Sequence, residues 1–272
     1  MLRSLKRIIY KLYNGIKWFW QFFICLKTGL YHKCVKTISD QTFDNPLILV
    51  PHSDDEWIGP YSILKNARDK ATCIYFNLFG DNTSEENIKK RNSEIVESAK
   101  FWGFKLEHNY KFDIVSLSEH LKKHVCIFIP SPYDWHPEHR MVFQTLYQAL
   151  LLLPEAEFEN KQIFYYSVSV PHRLCESVHY VPLTMEDINA KWTNFKKIYH
   201  SQSFMPALRY KLNLRLVPKE CGYAAQFYVK VDANRLKRDY EKSRDEIFIT
   251  EADRLIYSIN NIVKIGKQIS KL

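Results

Sequence analysis

Two short polar clusters, each placed directly after an apolar run, constrain the fold of this chain more than any other feature. The run Leu47-Ile48-Leu49-Val50 ends on Pro51-His52-Ser53-Asp54-Asp55-Glu56, and the run from Val125 to Ile129 leads to Trp135-His136-Pro137-Glu138-His139-Arg140. Continuous apolar runs of this length are typical of strands buried on both faces of a parallel sheet. Ligand crevices in open α/β sheets form beyond the carboxyl ends of such strands. The sequence therefore predicts a ligand site built from both clusters.

The rest of the body alternates between strand-like and helix-like segments. Further strands are expected at 72–79 and 163–170, and helices at 84–103, 137–153 and 186–199. This alternation predicts an α/β protein, a Rossmann-like doubly wound sandwich with a mostly parallel sheet. For 272 residues, one catalytic domain over 41–272 preceded by an arm over 1–40 is the expected organisation.

The net charge is concentrated in the arm. The 39 basic and 30 acidic residues leave +9, but residues 1–39 contain eight bases and no acid, so the rest of the chain carries only +1. A nucleic-acid-binding body would be expected to carry a basic stripe of its own, so nucleic acid is not an expected partner. The six cysteines include no C-x-x-C pair, which favours buried, reduced thiols in a cytoplasmic protein.

The arm has the pattern of a basic amphipathic helix. Apolar residues recur at steps of 3, 4, 3 and 4, and bases lie on another face; the apolar positions are Leu2, Leu5, Ile9, Leu12 and Ile16. Gly15 is expected to interrupt this helix, and the apolar patch at 18–26 has nine residues, against about 20 for a bilayer span. We therefore expect peripheral attachment to an anionic membrane, on its inner face, through residues 1–39. A helix pair packed on the body and a cleaved signal peptide are the alternatives, the latter weakened because no cleavage site follows.

The polar clusters contain the residue types of a catalytic metal site. His52, Asp55 and His139 could together bind zinc, which takes imidazole and carboxylate ligands and keeps a position open for water in catalytic sites. Asp54 would then lie beside the ion as the base that takes a proton from an attacking water. A protonated His136 could stabilise the charge of a tetrahedral intermediate. These roles are those that hydrolysis of an amide requires.

Four separated segments resemble one family. The segment 51–56 is similar to the A-H-P-D-D-E motif of the PIG-L/LmbE de-N-acetylases, and 136–140 to their H-P-D-H-R motif. Arg91-x-x-Glu94 with its following helix, and the segment from Lys191 to Gln202, resemble two further family motifs. The resemblance implies a zinc (Zn2+) hydrolase that removes acetyl from an N-acetylglucosamine-type sugar, with a lipid-linked or glycan-biosynthesis intermediate as the expected substrate.

The same resemblance implies roles for individual residues. His52, Asp55 and His139 would bind zinc, Asp54 would be the general base and His136 would stabilise the oxyanion. Weaker candidates for contact with the substrate are Arg91, Trp135 and Tyr61.

Several departures and alternatives stay open at this stage. Ser53 replaces the usual proline and Glu138 the usual aspartate. The family often follows its acidic cluster with a Gly-Gly pair, whereas this chain has Gly59-Pro60-Tyr61-Ser62, and the bulk of Tyr61 could reshape the pocket. Arg91 could instead form an i,i+3 salt bridge with Glu94, which we favour, and core packing is favoured for Trp57 and Trp135 over stacking on a sugar. O-deacetylation, hydrolysis of another small amide and a non-catalytic metal-bearing scaffold are the alternative functions.

Overall fold

The computed structural model describes residues 34–79, 83–202, 222–254 and 262–272, together with isolated positions within 9–23 and 205–215. Within these residues, eight strands form one sheet in the order β1-β7-β8-β6-β5-β2-β3-β4. The strands are β1 Cys34–Thr37, β2 Leu47–Val50, β3 Thr72–Tyr75, β4 Lys105–His108, β5 Cys126–Pro130, β6 Gln162–Tyr166, β7 Val178–Leu183 and β8 Ala224–Val231.

The sheet is mostly parallel, as the sequence predicts. Strand β8 runs antiparallel to both of its neighbours, β6 and β7, whereas all other pairs are parallel. The strand β1, residues 34–37, pairs with β7. The last residues of the predicted arm, 34–37, therefore take part in the sheet, while the division into an arm and a catalytic domain stays a prediction.

Helices cover both faces of the sheet. The described helices are α1 Asp55–Ile58, α2 Tyr61–Ala67, α3 Glu85–Trp102, α4 Ile114–Lys123, α5 Pro137–Leu150, α6 Glu155–Glu159, α7 Met185–Ile198, α8 Ala233–Lys242, α9 Glu246–Arg254 and α10 Ile262–Ile269. Leu47 and Leu49 of β2 pack with α4, α5 and α8, whereas Ile48 and Val50 pack with α2 and α3. Side chains alternate between the faces of a strand, so a strand covered on both faces needs an uninterrupted apolar run.

Helix α3 shows how local sequence sets the ends of an element. The Ser84 hydroxyl accepts a hydrogen bond from the backbone N–H of Asn87 at 3.3 Å, and Gly103 ends the helix with φ of 81°. Both ends agree with the prediction for 84–103. The strand predicted at 72–79 is shorter, ending at Tyr75, because Asn77 turns the chain with φ of 55°.

The order of the strands places a crevice beside the two polar clusters. From β2 the chain continues to β3 and β4 on one side, whereas β5 and β6 lie on the other side. The sheet therefore reverses its direction of winding between β2 and β5, the position at which open α/β sheets bind ligands beyond the carboxyl ends of the strands.

The arm is described at only some of its positions. All eight of these are helical: Ile9, Leu12, Tyr13, Gly15, Ile16, Phe19, Trp20 and Phe23. Gly15, where the sequence predicts an interruption, is itself helical, and the predicted basic face of the arm falls on residues outside the described ones. No described helix is both long and apolar enough to cross a membrane.

The thiols agree in part with expectation. Cys73 and Cys126 are free and buried, whereas Cys175 is free and exposed.

Candidate metal centre

The loop after β2 brings His52 and Asp55 together. The backbone N–H of His52 donates to Asp55 Oδ2 at 2.9 Å, and His52 Nδ1 lies 3.1 Å from the same oxygen. Between them Asp54 has φ of 128°, a conformation that residues with a side chain rarely adopt and that costs about 1–3 kcal/mol. Strain of this kind persists only where the surrounding contacts hold it, and here it lies within the polar cluster.

The loop after β5 supplies the third side chain. His136 is the N-cap of α5 and Pro137 its first residue, which places His139 in the first turn, facing the β2 loop. Arg140 is buried and donates to the backbone oxygens of Asp134 at 3.0 Å and Trp135 at 3.2 Å. These hydrogen bonds fix the loop before α5 to the first turn of α5.

Three atoms that can serve as metal ligands lie close to one another. His139 Nε2 lies 3.2 Å from His52 Nδ1 and 3.3 Å from Asp55 Oδ2, and the latter two atoms are 3.1 Å apart. A tetrahedral zinc with bonds of about 2.0–2.1 Å separates its ligand atoms by about 3.3–3.4 Å. The triangle therefore has nearly the size of one face of such a tetrahedron, and His52, Asp55 and His139 form a group that could hold a metal ion.

The charges around His139 favour a cation at this point. Burial by itself lowers the pKa of His139, but the carboxylates of Asp55 and Asp134 outweigh it and raise the pKa to about 10. For Asp55, burial opposes ionisation, yet His139 and His52 hold its pKa well below the usual range. A positive charge at this point, either a proton on His139 or a metal ion, would balance the buried carboxylates.

Asp134 is a site residue that the sequence reading missed. Its Oδ2 lies 3.5 Å from His139 Nδ1, the ring nitrogen that faces away from the cluster, and accepts from the backbone N–H of Ser169 at 3.0 Å. Burial raises the pKa of Asp134, but His139 outweighs this effect and the pKa falls to about 2. A carboxylate behind a histidine ligand fixes the orientation of the ring. The sequence signal was a carboxylate two positions before His136 in the same loop.

Asp54 is buried and paired with Arg91. Its Oδ1 lies 3.3 Å from Arg91 Nη2, which also donates to the backbone oxygen of Ser53 at 2.8 Å. Burial raises the pKa of Asp54 well above its usual range, Arg91 opposes this shift, and the Asp55 and Glu56 carboxylates add to it. A rise in the pKa of a carboxyl group makes its ionised form a stronger base, the property that a general base requires.

The salt bridge favoured between Arg91 and Glu94 is wrong. Arg91 points to the loop after β2, where its Nε donates to Ser53 Oγ at 3.1 Å. A proline at position 53 could not make this contact. With its amide oxygen turned to Arg91, Gln202 accepts from Arg91 Nε and Nη2 at 3.1 and 3.2 Å. Glu94 accepts from the backbone N–H of Ser201 at 2.7 Å and from its hydroxyl at 2.5 Å. The segment that contains Arg91 and Glu94 therefore contacts the segment that contains Ser201 and Gln202.

Glu56 stabilises the loop after β2 through buried hydrogen bonds. It is fully buried and accepts hydrogen bonds from Ser98 Oγ at 2.7 Å, from the Tyr199 hydroxyl and from the backbone N–H of Asp54 at 3.1 Å. Burial raises the pKa of Glu56 to about 7, although these hydrogen bonds oppose the shift. Glu56 thus connects the strained backbone of Asp54 to α3 and to the turn after α7.

His136 lies beside the cluster, and its surroundings favour the neutral form of its ring. Its ring centre is 5.5 Å from that of His52 and 5.0 Å from that of His139, and 39% of its side chain is exposed. Loss of solvent lowers its pKa to about 4, although Asp134 opposes this shift. This lowered pKa favours the neutral ring, so His136 would act through its N–H and not through the protonated form suggested by the sequence.

Trp135 and Tyr61 do not face an open pocket. Trp135 is 5% exposed and packs with Tyr133 and α10, and Tyr61 is 3% exposed and packs against Trp57. Trp57 is fully buried, which confirms core packing for it and for Trp135. Stacking of Trp135 or Tyr61 on a sugar would require an exposed face, so these two substrate predictions are not supported.

Two buried polar side chains hold the end of the helix that carries Asp55. Lys191 Nζ donates to the backbone oxygen of Ile58 at 3.0 Å, and Gln226 Nε2 donates to the same oxygen at 2.9 Å and to that of Gly59. The other end of the Gln226 amide accepts from the backbone N–H of Ser62 at 2.8 Å. The turn between α1 and α2 is therefore fixed on both sides, a contact set that joins residues more than 120 positions apart.

Solved structures with a similar fold come from two bacteria. A conserved protein of Thermus thermophilus gives a TM-score of 0.55 at 20% identity, over 68% of this chain and 94% of that chain. GalB, the 4-carboxy-2-hydroxymuconate hydratase of Pseudomonas putida, gives 0.50 at 11% identity, over 69% of this chain and 96% of that chain. At such identities the likeness extends to the fold alone. No family model and no curated protein matches the sequence.

Proposed function

We propose that this protein is a zinc-dependent hydrolase of the PIG-L/LmbE type that removes the acetyl group from an N-acetylglucosamine-type sugar. The observation that carries the proposal is the triangle of His52 Nδ1, Asp55 Oδ2 and His139 Nε2, with edges of 3.1–3.3 Å, at the reversal point of the sheet. Two imidazoles and one carboxylate are the ligand set of many catalytic zinc sites. When bound, such an ion supplies Lewis-acid activation of a water and of the amide carbonyl.

The chain's own residues supply the proton transfers. Asp54 follows His52 by two residues and precedes Asp55, and its carboxylate can accept the proton of the attacking water. Arg91 keeps this carboxylate oriented through the ion pair at 3.3 Å. His136 can donate its N–H to the amide oxygen as that oxygen gains negative charge. Water adds to the carbonyl carbon, the C–N bond breaks, and the proton held by Asp54 passes to the leaving amine.

The test combines metal content with product release. Purified protein is analysed for metals and then assayed for free amine from N-acetylglucosamine conjugates. We expect about one zinc per chain in the native protein and in Asp54→Asn, with kcat/KM of the variant lowered about 10²–10⁴-fold. His52→Asn should lose both metal and activity because it removes a ligand. Asp69→Asn, an exposed acid outside the site, is the control and should match the native protein.

Other products would point to other reactions. Equal amine release by Asp54→Asn and native protein would reject Asp54 as the base. Acetate release from O-acetyl sugars without amine release would favour O-deacetylation, and bound metal without any turnover would favour a scaffold role.

Hydration of an unsaturated acid is a second candidate, because GalB shares this fold and is a hydratase. It is tested with 4-carboxy-2-hydroxymuconate in the same preparation.

A further inference from the structure

One face of the arm is apolar and lies in solvent. Ile9, Leu12, Ile16, Phe19 and Phe23 follow one another at steps of 3, 4, 3 and 4, the spacing of one helix face, and each of them is helical. Their exposed fractions are 57%, 62%, 72%, 51% and 51%, and that of the neighbouring Trp20 is 69%. We call Ile9, Leu12, Ile16, Phe19 and Trp20 the apolar stripe. Packing of this face on the body, the alternative drawn from the sequence, does not agree with these exposures.

The charge of the surrounding sequence selects the kind of surface that the apolar stripe fits. Residues 1–39 carry eight bases and no acid, whereas the remaining 233 residues carry +1 in sum. A second copy of the chain would bring two such segments together and oppose association by repulsion of like charges. An anionic bilayer instead attracts each base by about 1 kcal/mol and receives aromatic side chains at the level of the headgroups.

We propose that the apolar stripe binds the surface of an anionic membrane, with its side chains below the headgroups, and that the excess of bases in the sequence before β1 supplies the electrostatic attraction. Attachment is peripheral, since the apolar patch at 18–26 has nine residues and a span needs about 20. The proposal concerns a surface outside the metal centre and does not depend on the reaction that the centre performs.

The experiment compares two isoleucines of equal exposure. Full-length native protein, Ile16→Asp and Ile247→Asp are sedimented with vesicles of pure phosphatidylcholine and of phosphatidylcholine mixed with phosphatidylglycerol. Ile16 and Ile247 are each 72% exposed, so both changes place the same charge on an equally open helical position, one in the arm and one in α9. We expect binding only to the mixed vesicles, at least about tenfold weaker binding for Ile16→Asp, and native binding for Ile247→Asp. Added salt should weaken binding because it screens the bases.

Two results would overturn the proposal. One is equal binding of Ile16→Asp and native protein to the mixed vesicles. The other is no vesicle binding together with a doubled mass in solution that Ile16→Asp abolishes, which would assign the stripe to a second copy of the chain. Amine release from a water-soluble substrate serves as a separate readout, so failure of the membrane proposal and failure of the proposed reaction are distinguishable.

Discussion

Replacement of Gly59 by alanine would test how closely the metal ligands depend on the turn between α1 and α2. The backbone N–H of Gly59 donates to the backbone oxygen of Asp55 at 2.8 Å, so Gly59 ends the helix that carries this candidate ligand. A Cβ at Gly59 would lie 2.2 and 2.6 Å from two ring carbons of Tyr166. Ordinary contact begins at 3.4 Å, so the ring or the turn must move by about 1.2 Å.

Neither the Tyr166 ring nor the turn between α1 and α2 can move freely. Tyr166 is fully buried, and its hydroxyl donates to the Leu49 backbone oxygen at 2.7 Å, while Lys191 and Gln226 hold the turn. An extra methyl group in a packed core costs about 1–3 kcal/mol, and Pro60 further disfavours helical backbone at a residue 59 that has a Cβ. We therefore expect Gly59→Ala to lower the free energy of unfolding by about 3 kcal/mol. Displacement of Asp55 should also weaken zinc binding by about tenfold or more.

Urea unfolding and chelator competition measure the two effects. Gly222→Ala is the matched control: Gly222 has φ of 83° and no atom within 4 Å of an added Cβ, so alanine there costs only backbone strain, about 1 kcal/mol, with native zinc affinity. In a Tyr166→Leu background the cost of Gly59→Ala should shrink, since the clashing ring is absent. An unfolding free energy within about 0.5 kcal/mol of native, together with unchanged zinc affinity, would refute this account of the turn.

Further predictions concern buried charges and strain. Because a proton and the metal compete for His139, whose pKa is raised to about 10, apparent zinc affinity should rise about tenfold per pH unit from pH 6 to 9; calorimetry would contradict this if affinity were constant. Asp54→Gly should be about 1 kcal/mol more stable than Asp54→Ala in urea, since both remove the carboxylate but only alanine keeps the strain at φ of 128°; equal stability would reject it. Burial lowers the pKa of Lys191 to about 7, so between pH 7 and the ordinary lysine value the unfolded chain binds a proton that the folded chain has lost, and stability rises with pH. Lys191→Met should therefore be more stable than the native protein at pH 6, since Gln226 still donates to the Ile58 backbone oxygen in the variant. The difference in unfolding free energy should be smaller at pH 9, and an equal difference at both pH values would contradict the prediction.

Some features could be read from the sequence because they depend on neighbours along the chain. The uninterrupted run 47–50 indicated a strand covered on both faces, and Ser84 and Gly103 marked the ends of α3 through hydrogen bonds and backbone angles within one turn. His52 and Asp55 lie three residues apart, so their proximity needed only the turn after the strand. The ends of β3 and the edge strand β1 were missed, since a local pattern does not show where pairing with a neighbour stops or begins.

Other features were decided only by packing between distant segments. The placement of β5 beside β2 brought His139 next to His52, 87 positions away in the sequence. The contact of α3 with the turn after α7 paired Glu94 with Ser201 and not with Arg91. Burial of Trp135 and Tyr61 likewise depends on helices that arrive later in the chain. Periodicity and capping act over a few residues, whereas the partner of a buried charge is selected by the desolvation that the whole fold imposes, and this selection has no local pattern in the sequence.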